Sequence, residues 1–520
     1  MYGLTQKEVL IIDCQTTAMH PNQGFIVQIG WGVYKPYELH APCIEKWTLK
    51  LPEEAVIPTK IRDMLELSES ELSQSVAPHI AFAALQCVLK TLGPEPIVIA
   101  HYAQFERGFL KQFYHQHTGF DELNFNLICT QKIAKRLLPQ VPSHNLKALA
   151  GYYQLPSSKK NEVISHVTMT LSVWRELVAK LMDQNISCYQ TLLTWINQKE
   201  KKASSKPYEY NIEQVKRLSL PELPGVYRML AQDGSVLYIG KATSLKDRVN
   251  SYFRGIKKRD RRKLEMLAQV WDIETVVCDT PLEAALLESD EIKRCSPPYN
   301  ILLQAKNRAL IFYNDEFSDM RDTRDAQFFI GPFKPFDSVM SLLELIKALK
   351  TGALMNYDNQ DITPELMKSA WTLFCTTYSL DNTPITKMNF RGFAALGYKL
   401  LKGFEKKYGV RTFEKWWSQE KAGFEEGLSI EQKMALKISR SLIRAAICLR
   451  QSRQIRALYN SSLIIKATQK KIFVVHGELL DEVHHADSNE NSLRAMTINH
   501  YDRLSLLVSA KNKKLLASLS

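Results

Sequence analysis

The stretch Leu223 to Asn300 constrains this chain most, because local rules fix a hairpin and two helices within it. Two apolar, strand-forming runs, Val226–Leu230 and Val236–Ile239, flank Gln232-Asp233-Gly234-Ser235, and Asp-Gly is a strong two-residue turn signal. If Asp233 and Gly234 form that turn, Tyr238 lies opposite Met229, and a period of two puts Tyr227 on the same face as its diagonal neighbour. Both phenols then look at one pocket. Ser244-Leu-Lys-Asp247 reads as a capping box, so a helix to about Phe253 turns Leu245, Val249, Tyr252 and Phe253 inward, with Arg248 at the edge of that stripe. In Thr280-Pro281-Leu282-Glu283 the threonine caps a second helix, the proline takes its first position and the glutamate completes the box. Glu288 shares the inward stripe of Ala285 and Ile292, whereas Glu283, Asp290 and Glu291 project elsewhere. An inward carboxylate needs a cation, and a metal is an obvious candidate.

The remaining sequence has room for other folds. At ~100–200 residues per domain, 520 residues make about three domains. The chain carries 68 Lys+Arg against 55 Asp+Glu, a formal charge of +13 that favours polyanionic partners, nucleic acid first. No apolar run approaches the ~18 residues of a membrane span and no signal peptide pattern opens the chain, so a cytoplasmic protein is expected. Its nine cysteines are scattered without a CxxC pair, which points to reduced thiols rather than a zinc site or disulfide framework.

Two tyrosines alone are as well explained by hairpin packing, and an isolated G-x-Y is weak. The spacing of the whole set is stronger: Gly225-Val-Tyr227, Tyr238-Ile-Gly240-Lys241, Arg248, Glu288 and Pro298-Tyr-Asn300. This set resembles the GIY-YIG nucleases, specifically the amino-terminal domain of UvrC and its shorter relative Cho. The resemblance implies a phosphodiesterase using one Mg²⁺ or Mn²⁺ ion, held by Glu288. It casts Tyr238 as the base, its pKa lowered by Lys241 and the metal-water network, and Tyr227 as a water-positioning group. Arg248 would neutralise phosphoryl charge, and Asn300 would fix the local backbone or the metal shell. The run from Arg254 to Lys263 adds seven basic residues in ten, Arg254, Lys257, Lys258, Arg259, Arg261, Arg262 and Lys263, expected to touch DNA backbone.

Residues 1–184 read as an α/β layer. Strands are expected at Val9–Asp13, Phe25–Tyr34 and Ile97–Ala100, between helices near Ser75–Leu92, Gln104–His117, Gln131–Leu138, Leu146–Tyr153 and Ser165–Asp183. The order of pieces, with Asp13-Cys-Gln15-Thr-Thr17, His101-Tyr-Ala-Gln-Phe-Glu106 and His166-Val-Thr-Met-Thr-Leu171, resembles the DnaQ-like exonucleases of RNase H-like fold. That family holds two metal ions with four carboxylates beside a histidine base. Asp13, Glu106 and His166 retain pieces of the site, but Gln15 is neutral and Leu171 supplies no oxygen. The expectation is a retained fold with a degenerate exonuclease site; Asp13 and His166 are equally open to a purely structural reading.

Residues 185–214 are expected to link the domains, with the polar, basic segment Asn197–Pro207 exposed. A small nuclease domain over 215–304 precedes a mostly helical region over 305–520. There Phe328-Phe-Ile-Gly-Pro-Phe333 resembles the element after the UvrC nuclease domain. Helices are expected near Pro364–Tyr378, Arg391–Tyr408, Arg411–Ala422 and Ile430–Leu458, and short strands at Leu463–Thr468 and Lys471–His476. Arg440, Arg444, Arg450, Arg453 and Arg456 read as a basic, solvated face. The resemblances together imply a nuclease nicking damaged double-stranded DNA 3′ to a lesion on a UvrB–DNA complex; a dual nuclease with a working 3′–5′ exonuclease and a non-catalytic DNA-binding adaptor are the alternatives.

Overall fold

The computed structural model describes residues 3–35, 43–156, 162–198, 208–254, 260–301, 303, 309–335, 338–351, 355–357, 360–380, 388–409, 413, 427–480 and 496–519. Most of the expected linker segment and all but one residue of the helix expected over Arg411–Ala422 lie outside these. The architecture is mixed α/β and multidomain, and the chain divides into two units: Met1–Cys278 with Pro297–Ile301, and Asp279–Ser296 with Leu302–Ser520.

The first unit opens with β1 (Val9–Thr16), β2 (Ile26–Tyr34), β3 (Ile44–Thr48), α1 (Thr59–Leu65), α2 (Glu69–Ser73) and α3 (Pro78–Thr91). It continues with β4 (Ile97–Ala100), α4 (Ala103–Thr118), β5 (Asn126–Cys129), α5 (Thr130–Leu137), α6 (Leu146–Tyr152), α7 (Val163–Asp183) and α8 (Tyr189–Asn197). The five strands lie in the order β3-β2-β1-β4-β5. β1 pairs antiparallel with β2 and parallel with β4. Alternation along β1 sends Val9 and Ile11 into the core shared with α5, α6 and α7, and Leu10, Ile12 and Cys14 into the one shared with α3 and α4. Strands β3 and β5 were not expected. β3 is Ile-Glu-Lys-Trp-Thr, a half-buried edge strand whose charges mask its period, and β5 has only four residues.

The same unit then adds α9 (Gln214–Leu218), β6 (Gly225–Leu230), β7 (Val236–Ala242), α10 (Leu245–Ser251), α11 (Arg261–Ala268) and β8 (Asp272–Val277). The strands form an antiparallel sheet ordered β7-β6-β8. Helix α11 joins this small sheet to the larger α/β layer, because Ala268 is buried in the core beneath α7. The Trp271 Nε1 donates to the Gly151 carbonyl at 2.9 Å, and Asn145 donates to the Glu265 carboxylate. Gly151 has no room for a side chain: a Cβ there would lie 2.3 Å from Gln269 Cγ.

The second unit begins with α12 (Pro281–Cys295) and contains a helical core built from Ser338–Thr351, Pro364–Thr377, Phe390–Tyr408 and Ile430–Leu458. A four-stranded antiparallel sheet closes it, pairing the expected strands, here Ser461–Ile465 and Lys471–Val475, with Glu478–Leu480 and Leu516–Ser518. Its helix Ile498–Asn512 packs in the same cluster as Leu282 and Leu286 of α12.

The close fit at Gly151 makes a direct prediction. Gly151→Val should lower stability by about 1–3 kcal/mol, the usual range for an overpacked contact, and adding Gln269→Ala should recover much of the loss in urea unfolding. An unchanged midpoint in Gly151→Val would show that the two layers do not bear on each other there.

Candidate active site

The hairpin carries both tyrosines as its register requires: Met229 pairs with Tyr238 and Tyr227 with Gly240. The turn itself differs from the expected two-residue form. Gly234 N–H donates to the Ala231 carbonyl at 3.1 Å and Ala231 N–H to the Ser235 carbonyl at 2.9 Å, closing a three-residue loop. Gly234 takes the left-handed conformation this loop needs (φ +79°). A register shift between Met229 and Leu230 then restores the pairing at the tyrosines. The phenol of Tyr227 lies across Gly240, where a Cβ would sit 2.4 Å from its hydroxyl oxygen, so the second glycine of the motif makes room for the first tyrosine.

Sequence reasoning missed a third phenol. Tyr252 caps the end of α10 and completes a triangle with Tyr227 and Tyr238, with ring centroids 6.1–6.2 Å apart. Its place in the inward stripe had marked it as core; its hydroxyl was the unused signal. The Tyr227 and Tyr252 hydroxyls are 3.0 Å apart. Arg248, one turn earlier on α10, points Nη2 at the Tyr252 hydroxyl at 3.4 Å, with Cζ 5.2 Å from that ring. Burial, then the neighbouring Tyr252 and Tyr238, push the Tyr227 phenol well above its ordinary range, with Arg248 pulling the other way. Arg248 is thus a cation felt by Tyr227. Lys241 is exposed and pairs opposite Val226, so strand alternation gives it the opposite Cβ direction from Tyr238, where the sequence reading had set it as that phenol's cation.

Asn300 acts on the backbone. Its Oδ1 accepts from Ile239 N–H and its Nδ2 donates to the Ile239 carbonyl, both at 2.9 Å, gripping the residue after Tyr238. Among the expected DNA contacts, Arg254, Arg261, Arg262 and Lys263 are exposed, and Arg262 donates to the Pro298 carbonyl at 2.7 Å with its guanidinium 5.8 Å from the Tyr299 ring. Lys257, Lys258 and Arg259 lie outside the described residues.

Glu288 belongs to the second unit, on α12. The helix starts as expected: Glu283 N–H donates to Thr280 Oγ1 at 3.2 Å, that hydroxyl donates to Glu283 Oε2 at 3.0 Å, and Pro281 takes the first turn. Glu288 is 8% exposed, alongside buried Ala285 and Ile292. Glu291, off the stripe of Ala285 and Ile292, is buried too, at 4% exposure, and α12 makes further contacts. Asp290 takes a two-point contact from Arg503 at 2.9 and 3.1 Å, and Lys293 and Asp502 form a buried ion pair at 3.1 Å. Among the described residues no three His, Cys, Asp or Glu side chains gather into a metal-binding cluster.

A sequence model of the family described as the UvrC-like GIY-YIG domain matches residues 223–301. Residues 223–301 form a UvrC-like GIY-YIG domain. UvrABC system protein C of Flavobacterium johnsoniae is 36% identical over 172 residues, 32% of this chain and 28% of that protein. A Mycobacterium tuberculosis protein described as a candidate bifunctional exonuclease/endonuclease is 29% identical over 211 residues, 40% of this chain and 31% of that one. This chain therefore matches less than a third of the length of either relative. Among solved structures, the magnesium-bound GIY-YIG endonuclease domain of Thermotoga maritima UvrC is 34% identical, with a TM-score of 0.16, covering 17% of this chain and 94% of that one.

Outside the GIY-YIG domain, the residues expected to form a degenerate exonuclease site do meet. Alternation on β1 places Asp13 and Gln15 together, and Gln15 Nε2 donates to Asp13 Oδ2 at 2.7 Å. His166 on α7 brings Nδ1 within 3.1 Å of the Gln15 amide nitrogen and 3.2 Å of Asp13 Oδ1. Glu106 reaches in from α4, 4% exposed, with its carboxyl raised well above the usual range first by burial and then by the Asp13 charge. Leu171 is buried at 5% and adds no oxygen. The Gln15 amide thus offers Asp13 a positive N–H dipole where a carboxylate would have offered a metal a second anion. His101 is structural: burial lowers its pKa to about 3, and its ring nitrogens lie 2.8 Å from Thr130 Oγ1 and 3.1 Å from the His144 carbonyl.

The phenol cluster has a pH signature. Because the folded state holds the Tyr227 proton above the ordinary phenol pKa of ~10, its contribution to stability is complete below that pH and is lost as pH rises through the folded value. Urea midpoints between about pH 9 and 11.5 should therefore fall more steeply for the wild type than for Tyr227→Phe. Parallel curves would contradict the assignment.

Proposed function

We propose that the protein is a metal-dependent DNA endonuclease of nucleotide excision repair, of the UvrC and Cho kind, nicking the damaged strand 3′ to a lesion. The observation that carries this reading is the residue set of the matched segment. It holds the phenol triangle with Arg248, Asn300 gripping the strand behind Tyr238, and a buried carboxylate at Glu288.

Each side chain has a task in water attack on a phosphodiester. Tyr238, the least buried of the three phenols, takes the proton from the attacking water. Tyr227 stays protonated and, through its 3.0 Å contact with Tyr252, holds the phenols in one arrangement. Arg248 offers a planar guanidinium to the phosphoryl oxygens as negative charge grows there. Glu288 holds a single Mg²⁺ or Mn²⁺. One carboxylate fits such an ion, since magnesium commonly keeps several waters and takes its other oxygens from a phosphate. Bound there, it supplies Lewis-acid stabilisation of the phosphoryl and leaving oxygens. The exposed Arg261 and Lys263, with Arg254, give the substrate backbone cationic contacts.

The substrate is damaged double-stranded DNA, recognised through a UvrB–DNA complex in the cytoplasm. Among the described residues no helix is long and apolar enough to cross a membrane. The first domain is a DnaQ-like module that braces α11 and contributes little cleavage, because Gln15 and Leu171 leave too few anions for two cations. A dual nuclease is the second reading. It is favoured by the persistence of Asp13, Glu106 and His166 in one cluster and by the bifunctional description of the mycobacterial relative.

A lesion-bearing duplex loaded with UvrB and incubated with Mg²⁺ decides between them. One nick 3′ to the lesion is expected, reduced at least ~100-fold by Tyr238→Phe or Glu288→Ala, a loss typical of removing a catalytic group, and little changed by Asp13→Ala. Loss of all cleavage in Asp13→Ala, with the other two variants active, would move the chemistry to the first domain.

A further inference from the structure

The second unit contains a pocket of about 470 Å³ between the helices Phe390–Tyr408 and Ile430–Leu458, within the ~300–1,000 Å³ usual for small-ligand sites. One wall is aromatic: Phe317, Phe329, Phe333 and Phe390, with Phe317 and Phe390 stacked at 3.9 Å. The other is cationic. Arg453 and Arg456 are three apart on one helix face and both line the pocket, Arg453 lying 5.3 Å over the Tyr398 ring.

Arg456 Nη1 donates to the Phe329 carbonyl at 3.4 Å, but neither arginine meets an anion among the described residues. Neighbouring arginines are matched, Arg391 to Asp315 and Arg450 to Glu405 at 2.8 Å. Among the described residues no carboxylate is paired with Arg453 or Arg456. Instead, burial and then the charges of Arg324 and Arg453 depress the pKa of Arg456, the mark of like charges gathered without an anion. The pocket also holds unused polar groups. Ser452, 3% exposed, keeps its hydroxyl without a hydrogen-bond partner, and so does the Tyr398 hydroxyl. A buried hydroxyl left unpaired costs folding free energy, so its retention in a pocket lined by two arginines points to a ligand.

We infer that this pocket binds a nucleotide, its base stacked on the phenylalanine wall and its phosphate held by Arg453, Arg456 and Ser452. Arginine forks match phosphate oxygens two at a time, and an aromatic wall accepts any base face. An anion without a ring would leave the wall unused, and an uncharged ring would leave the guanidiniums repelling one another. The nucleotide is either free or one unit of a DNA single strand; the chemistry of the site is the same for both. This inference does not rest on the nicking reading.

Calorimetric titration of the full chain in EDTA, where no metal-dependent cleavage occurs, tests it with dAMP, deoxyadenosine and inorganic phosphate. Saturable dAMP binding is expected, with deoxyadenosine and phosphate each at least tenfold weaker. Arg453→Gln and Arg456→Gln should weaken dAMP at least tenfold with unchanged thermal unfolding. Ser452→Ala should weaken it severalfold while leaving Tm equal or higher, an outcome a merely structural hydroxyl would not give. Displacement of dAMP by (dT)8 assigns the pocket to a DNA strand, and failure of (dT)8 to compete assigns it to a free nucleotide. No dAMP binding, or binding unchanged in both arginine variants, overturns the inference.

Discussion

The phenol cluster depends on an edge strand being held from its open side. Among the described residues β7 pairs with β6 alone, so the backbone groups on its outer edge must find other partners or face water. Asn300 supplies both for Ile239, and Tyr299 N–H reaches the Leu237 carbonyl at 3.1 Å. Pro-Tyr-Asn therefore behaves as a one-turn substitute for a fourth strand. Tyr299 passes the restraint on: its hydroxyl donates to Glu265 at 2.6 Å and accepts from Gln269 Nε2 at 2.5 Å, both on the α11 side. That side is pressed in turn against Gly151 and Asn145 of the larger α/β layer. The position of Tyr238 is thus supported by a chain of contacts that ends in the first domain.

Two side-chain clusters of the first unit treat charge in opposite ways. Beside the hairpin, the Arg248 guanidinium lies with three phenols, those of Tyr227, Tyr238 and Tyr252. At the end of β1, two carboxylates lie close enough for the charge of Asp13 to raise Glu106 along with its burial. A neutral amide, rather than a further anion, completes that set.

Much of the GIY-YIG domain was legible because it is specified locally. Asp233-Gly234, Ser244 and Thr280 each announce a turn or helix start within a few residues, and all are used where expected. Hairpin register survived an error in loop length because the bulge compensates for the extra residue. Long-range facts were not legible. Nothing near Gly151 signals Gln269, and Asp290 meets Arg503, a residue more than two hundred positions further on. The arginines of Ile430–Leu458 read as a solvated face, yet Arg453 and Arg456 line a pocket, because the aromatic wall opposite them comes from distant segments.

The proposed function puts the metal-dependent chemistry at Glu288 rather than at Asp13. Counting bound Mn²⁺ by electron paramagnetic resonance titration tests it most directly. One tight ion per chain is expected, lost in Glu288→Ala and kept in Asp13→Ala. Two or more tight ions in the wild type, with loss in Asp13→Ala, would contradict it.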